Sequence, residues 1–191
     1  EIIRRGDADI MISGGAHSMI HPFGVTGFNR LTALSERNDS PTTASRPFDR
    51  TRGGFVIGEG GGVLVLESRE SARRRGARVH ALMPPPGLSS EAYNILSPQT
   101  GGAGMAVCMR RSLENAGLAP VDIDYINAHG TSTRINDLYE TQAIHAVFGA
   151  AAGGVAVSST KSLTGHCLAG AAGVACAELY LHLGVRRENI L

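Results

Sequence analysis

Hydrophobic residues come in short bursts along this chain, punctuated by glycine, proline and polar clusters. Residues 1–5 read as a helix. Residues 8–13 (ADIMIS) are an apolar run closed by Gly14 and Gly15, the pattern of a buried strand. Residues 16–54 are irregular, with turn chemistry at 38–41 and 46–47 and a short helix over 24–33. Residues 55–58 and 61–67 read as two strands around a glycine cluster at 58–62. A polar helix follows over 68–75, with Gly76 as its stop. Residues 78–83 read as a strand ended by Pro84, Pro85 and Pro86, which no strand interior tolerates. Strand and helix patterns then alternate: helix 101–116 stopped by Gly117, strand 123–128, helix 135–148, buried strand 155–158 and an alanine-rich helix over 165–183. That alternation predicts an α/β fold with a largely parallel or mixed sheet. There is no repeat of about 20–50 residues, which argues against a solenoid.

Composition narrows the class. With 191 residues and 20.0 kDa, the chain is one domain or most of a larger one. Apolar residues at 42% and charged residues at 18% exclude a disordered chain. A net charge of +1 argues against a nucleic-acid module. No stretch reaches the roughly 18 continuous apolar residues of a membrane span, and no leader pattern opens the chain. Three cysteines (Cys108, Cys167, Cys176) suit a reducing compartment, so a cytoplasmic location is expected. Seventeen of the 18 cations are arginine, leaving Lys161 as the one lysine, a compact and tunable amine. The chain has no initiator Met and stops without a terminator at Leu191, and it is expected to be a fragment.

Candidate chemistry gathers at the carboxyl ends of two strands, where open α/β sheets place it. Residues 127–133 (NAHGTST) follow the strand at 123–128, and residues 158–166 (SSTKSLTGH) follow the strand at 155–158. Each brings a histidine beside hydroxyls and glycines, and the second adds Lys161 and runs into a helix N-terminus. Two neutral imidazoles, His129 and His166, can each donate a hydrogen bond to a thioester oxygen and stabilise an enolate. Asp137 and Glu140 share a face of the next helix. They read equally as compensation of the helix dipole and as partners of Lys161 and the histidines. His17 and His21 have no acidic or thiol ligand close in sequence, so they are not read as a metal site. Arg73, Arg74, Arg75 and Arg78 read as a solvated face, with docking of an acidic carrier as the sharper alternative.

At these residues the chain resembles the β-ketoacyl-[acyl-carrier-protein] synthases, most nearly the type II elongation condensing enzyme. The stretches that carry the resemblance are NAHGTST (127–133) with Asp137 and Glu140, VSSTKSLTGH (157–166) and GAAG (170–173). GDADIMISGGA (6–16), LTALSERND (31–39), ASRPFDRTRGGFVIGEGGGVLVLE (44–67), LSSEAYN (88–94) and LENAGL (113–118) support it. The resemblance implies a thiolase-like five-layer α/β fold, here incomplete. Residues 1–75 would be the remainder of the N-terminal half and 76–191 the C-terminal half, as one fused unit. It implies decarboxylative Claisen condensation of malonyl-carrier with an acyl thioester, in fatty-acid synthesis. His129, Lys161 and His166 would be catalytic, with Glu140 as acidic partner of Lys161 and Asp137 in the acidic position before it. Thr131 and Thr133 would bind the phosphopantetheine arm, and Phe28 would line the acyl pocket. No metal or resident cofactor is implied. An acyl carrier protein and a second copy of the chain are the expected partners, with no nucleic acid and no membrane.

The pattern also has departures. The family's nucleophilic cysteine would lie upstream of residue 1, and its C-terminal glycine-rich loop is missing. Arg134 stands where proline is usual, one extra residue separates His166 from 170–173, and Glu178 is displaced. Pro84, Pro85 and Pro86 replace a strand continuation. The fragment alone is expected to be inactive. Besides an elongation synthase, the sequence allows a polyketide ketosynthase, a non-catalytic chain-length-factor subunit of the same fold, or a thiolase. The presence of His129, Lys161 and His166 favours an enzyme, and HGTST with Lys161 speaks against a thiolase.

Overall fold

The computed structural model describes residues 1–95 and 97–168. In chain order its elements are helix α1 (Ile2–Arg5), strand β1 (Ile10–His17), helix α2 (Pro22–Arg30), strand β2 (Gly60–Glu67) and helix α3 (Arg69–Arg74). Helix α4 (Ala103–Ala116), strand β3 (Tyr125–Asn127), helix α5 (Arg134–Phe148), strand β4 (Ala156–Ser158) and helix α6 (Lys161–Thr164) follow. Among the described residues the sheet content is one antiparallel pair, β1 with β2, and one parallel pair, β3 with β4.

β1 does not stop at Gly14 and Gly15 as the sequence suggests. It runs through them to His17, in register from Ile10 opposite Glu67 to His17 opposite Gly60. The glycine serves close approach rather than a turn: a Cβ on Gly14 would fall 2.3 Å from the Gly62 carbonyl oxygen. Nor is the pair buried on both faces. Ile12 and Val65 face each other across the ladder and are 73% and 68% exposed. A near-continuous apolar run suits a strand covered on both sides, and here one side is open among the described residues.

The expected strand at 55–58 reduces to two isolated parallel bridges, Leu34 with Phe55 and Ile57 with His166. No strand forms at 78–83, because no other strand among the described residues pairs with it. The proline run instead lies along α4: Gly87 N–H donates to Ser112 Oγ (2.9 Å), and Asn115 Nδ2 donates to the Pro86 carbonyl (3.0 Å). The expected strands 123–128 and 155–158 shorten to β3 and β4. Val155 is buried, but the three residues of β4 are exposed, which corrects the buried reading of that strand.

The core lies between α4, α5 and the β3–β4 pair: Leu113, Ile123, Ile144, Phe148 and Val155, flanked by Met109, Leu118 and Ile126. On α4, Met109 and Leu113 are four apart, and on α5 so are Ile144 and Phe148; each pair stacks on one helix face. Residues 165–168 are not helical, because the chain turns at Gly165 and His166 enters its bridge with Ile57. The rest of the expected alanine-rich helix, with Cys176, Glu178 and residues 170–173, lies outside the described residues.

Candidate active site

Because β3 and β4 are parallel neighbours, the loops at their carboxyl ends emerge side by side. The loop after β3 carries His129, and the loop after β4 carries Lys161 on α6 and then His166. The two imidazoles meet edge to face, centroids 5.4 Å apart and planes at 84°. His166 is fixed by its backbone: its N–H donates to Val56 O (2.7 Å), and its carbonyl accepts from Gly58 N–H (3.1 Å). Its Nδ1 accepts from Leu168 N–H (3.3 Å), which leaves the ring proton on Nε2 as a donor.

Both rings are poised to stay neutral. Burial holds the His166 pKa down to about 4, aided by the nearby charges of His129, Lys161 and His17. Burial lowers the His129 pKa as well; Lys161 adds to the effect and Asp137 opposes it. Lys161 is itself buried, with its N–H on Ser159 Oγ (3.3 Å) and its carbonyl accepting from the Ser45 hydroxyl (2.6 Å). A neutral ring N–H such as that of His166 can donate to negative charge developing on a substrate oxygen.

The acidic residues hold the histidine turn. Glu140 Oε1 accepts the His129 backbone N–H (2.6 Å) and Oε2 accepts that of Gly130 (2.8 Å). Burial pushes the Glu140 carboxyl above its ordinary range, against the pull of those two bonds. Gly130 has φ 41° and no room for a side chain, since a Cβ there would fall 2.4 Å from Ser159 Cβ. Asp137 is 1% exposed; its Oδ2 accepts Phe48 N–H (2.9 Å) and lies 3.5 Å from Arg52 Nε. Thr131 and Thr133 hydrogen-bond each other through their hydroxyls (2.9 Å) at the front of α5.

Phe28, on α2, reaches this centre through a residue that the sequence reading missed. Its ring packs edge-on against Phe55 (5.4 Å), and Phe55 packs edge-on against His166 (5.2 Å). The apolar pattern of 55–58 marks Phe55 only as strand core, and its partners are 27 and 111 residues away in sequence. Arg52, Ser45 and Ser159 were missed likewise. The remaining candidates lie apart from this centre or play other parts. His21 caps α2, its Nδ1 accepting Gly24 N–H (3.3 Å), while His17 ends β1, near enough for its charge to act on His166. Arg74 and Arg75 are engaged by Glu70, Asp9 and Glu67. Cys167 is buried, and Cys108 donates its S–H to Gly87 O (3.1 Å). Among the described residues no group of three or more His, Cys, Asp or Glu side chains is arranged to hold a metal ion.

The sequence model of the beta-ketoacyl synthase C-terminal domain matches residues 83–186, and that of the N-terminal domain matches residues 1–72. The chain is 49% identical to a mitochondrial 3-oxoacyl-[acyl-carrier-protein] synthase of Arabidopsis thaliana over 189 residues, covering 96% of this chain and 41% of that protein. It is 47% identical to 3-oxoacyl-[acyl-carrier-protein] synthase 2 of Staphylococcus aureus over 174 residues, 91% of this chain and 43% of that protein. The chain thus spans less than half the length of these relatives. Among solved structures, a beta-ketoacyl synthase from Burkholderia phymatum superposes with TM-score 0.85 at 38% identity, over 95% of this chain and 44% of that one. A type II polyketide ketosynthase, solved in complex with its acyl-carrier protein, gives TM-score 0.87 at 40% identity over 95% and 45%. These likenesses are to ketosynthases and support the thiolase-like α/β fold expected from the sequence. The chain belongs to the β-ketoacyl synthase family.

Proposed function

We propose that the protein performs decarboxylative Claisen condensation of a malonyl thioester with an acyl thioester, in fatty-acid synthesis. The observation that carries this reading is the pair of neutral imidazoles, 5.4 Å apart, beside the buried Lys161. In this reading the bond between the malonyl carboxylate and its α-carbon breaks and carbon dioxide leaves. The electron pair moves into the thioester carbonyl, and the resulting enolate oxygen is met by N–H donors of His129 and His166. The enolate carbon then attacks the acyl thioester held on the family's cysteine, forming the new carbon–carbon bond and expelling the thiolate. Glu140 positions the turn that carries His129, and its pairing with Lys161 is part of the proposal. Acyl groups arrive on the phosphopantetheine arm of an acyl carrier protein, held by Thr131 and Thr133, and Phe28 borders the acyl pocket. The reaction needs no resident metal or cofactor, and the working protein is a homodimer. Among the described residues no helix is long and apolar enough to cross a membrane. A cytoplasmic location is part of the proposal, although relatives include a mitochondrial and a chloroplastic enzyme.

Likeness to polyketide ketosynthases supports a second reading in which the acyl thioester is a growing polyketide. A chain-length-factor role is the third, and the presence of both histidines and Lys161 weighs against it. The test uses the full-length protein: carbon dioxide release from malonyl-carrier with and without acyl-carrier, beside His166→Ala. Condensation that needs both carriers and falls about 10²–10³-fold in the variant supports the proposal. Decarboxylation without condensation indicates an initiating decarboxylase, and inactivity of a folded wild type indicates a structural partner subunit.

A further inference from the structure

We propose that Arg52 is a positioning residue for the carrier arm, acting through the turn at 131–133. Its side chain is 16% exposed, and its guanidinium spans the start of α5. Nε donates to the Thr133 carbonyl (3.0 Å), Nη2 to the Arg134 carbonyl (2.7 Å) and Nη1 to the Asp49 carbonyl (3.0 Å). A cation at a helix N-terminus opposes the helix dipole. Asp137, whose side chain is fully buried 3.5 Å from Nε, offsets that charge. The rest of the same loop grips the turn as well. Arg46 N–H donates to Ser132 Oγ (3.1 Å), and Gly54 N–H donates to the Ser132 carbonyl (2.9 Å). Ser132 is fully buried at φ 67°, a left-handed conformation that a serine does not hold unaided.

The turn is therefore held from two sides. Glu140 fixes the N–H groups of His129 and Gly130, and the Arg52 loop fixes the backbone of Ser132 and Thr133. The Thr131 and Thr133 hydroxyls bond each other within this frame. A guanidinium bridging two successive carbonyls needs a planar fork, which a lysine lacks. Arg52 thus sets where the hydroxyls meet a pantetheine amide without touching the substrate itself.

This inference rests on the condensing-enzyme reading and is tested in the full-length protein by steady-state kinetics with malonyl-carrier. Arg52→Gln should raise KM for the carrier substrate about tenfold while kcat moves by less than about threefold. Arg52→Lys, which keeps the charge facing Asp137, should recover part of the loss and supplies the measurement if the glutamine variant fails to fold. In a Thr131→Val, Thr133→Val background, Arg52→Gln should add less than about twofold, because its route is through those hydroxyls. An unchanged KM, a loss in kcat alone, or an equal effect in the Thr-free background overturns the inference. If the wild type does not condense at all, the functional reading fails instead.

Discussion

His166 shows how burial sets the protonation of a single side chain. Its pKa is held down to about 4, against 6.5 for a free imidazole, mainly because burial disfavours the imidazolium. Between those values the unfolded chain binds a proton that the folded chain does not. Stability therefore rises with pH across this window and falls as the solution is acidified through it. In the full-length protein, nitrogen-detected NMR should find His166 as the neutral Nε2–H tautomer from about pH 5 to 8. A midpoint near 6.5 would contradict the structure. Glu140 runs the other way: burial raises its carboxyl, so its own contribution to stability declines as pH climbs from 4.5 through the folded value. Its two oxygens each serve a backbone N–H, and glutamine would supply one acceptor and one competing donor. Glu140→Gln should cost about 1–3 kcal/mol, read from urea unfolding of the full-length protein. An unchanged midpoint would mean the turn is held without it.

Elements were legible where their signals are local. Ser68 caps α3, and Gly117 ends α4 in the left-handed conformation, as the residue types suggest. The two polar loops after β3 and β4 were legible because polar residues crowd just after short apolar strands. What escaped the sequence was pairing at long range. Nothing local to 44–55 announces that Arg52 and Phe48 serve α5, 81 to 89 residues on, or that Phe55 packs on His166. The strand expected at 78–83 failed for the same reason, since apolar periodicity describes a strand but does not supply its partner. Gly58 shows how much hangs on such contacts. A Cβ there would fall 2.3 Å from the Thr164 carbonyl oxygen and 2.9 Å from Cys167 Sγ. Gly58→Ala should therefore push the 164–167 segment away, costing about 1–3 kcal/mol and displacing His166. We expect kcat of the full-length protein to fall at least about tenfold without any change to a reacting side chain. Wild-type kcat with an unchanged melting temperature would show that the segment yields without moving the ring.

At the scale of the whole molecule, the β1–β2 pair carries an apolar face that is exposed among the described residues. Cross-strand register puts Ile10, Ile12, Val63 and Val65 on one face, and they are 49%, 73%, 61% and 68% exposed. Few monomeric proteins leave such a row of branched apolar side chains uncovered on a regular sheet. The sequence reading of 8–13 as buried holds the physical clue: its composition suits coverage that the described residues do not provide. Water is the poorest neighbour for this face, and association is the simplest way to remove it. The 191-residue chain by itself should associate with rising concentration in light scattering and bind a hydrophobic dye. Ile12→Glu with Val65→Lys puts opposite charges on directly facing positions, where the ladder itself can satisfy them. That double variant should dissociate at concentrations where the parent chain is associated. A parent chain that stays monomeric and dye-free would show that other parts of the chain already cover the face, so exposure of this sheet would not govern its behaviour.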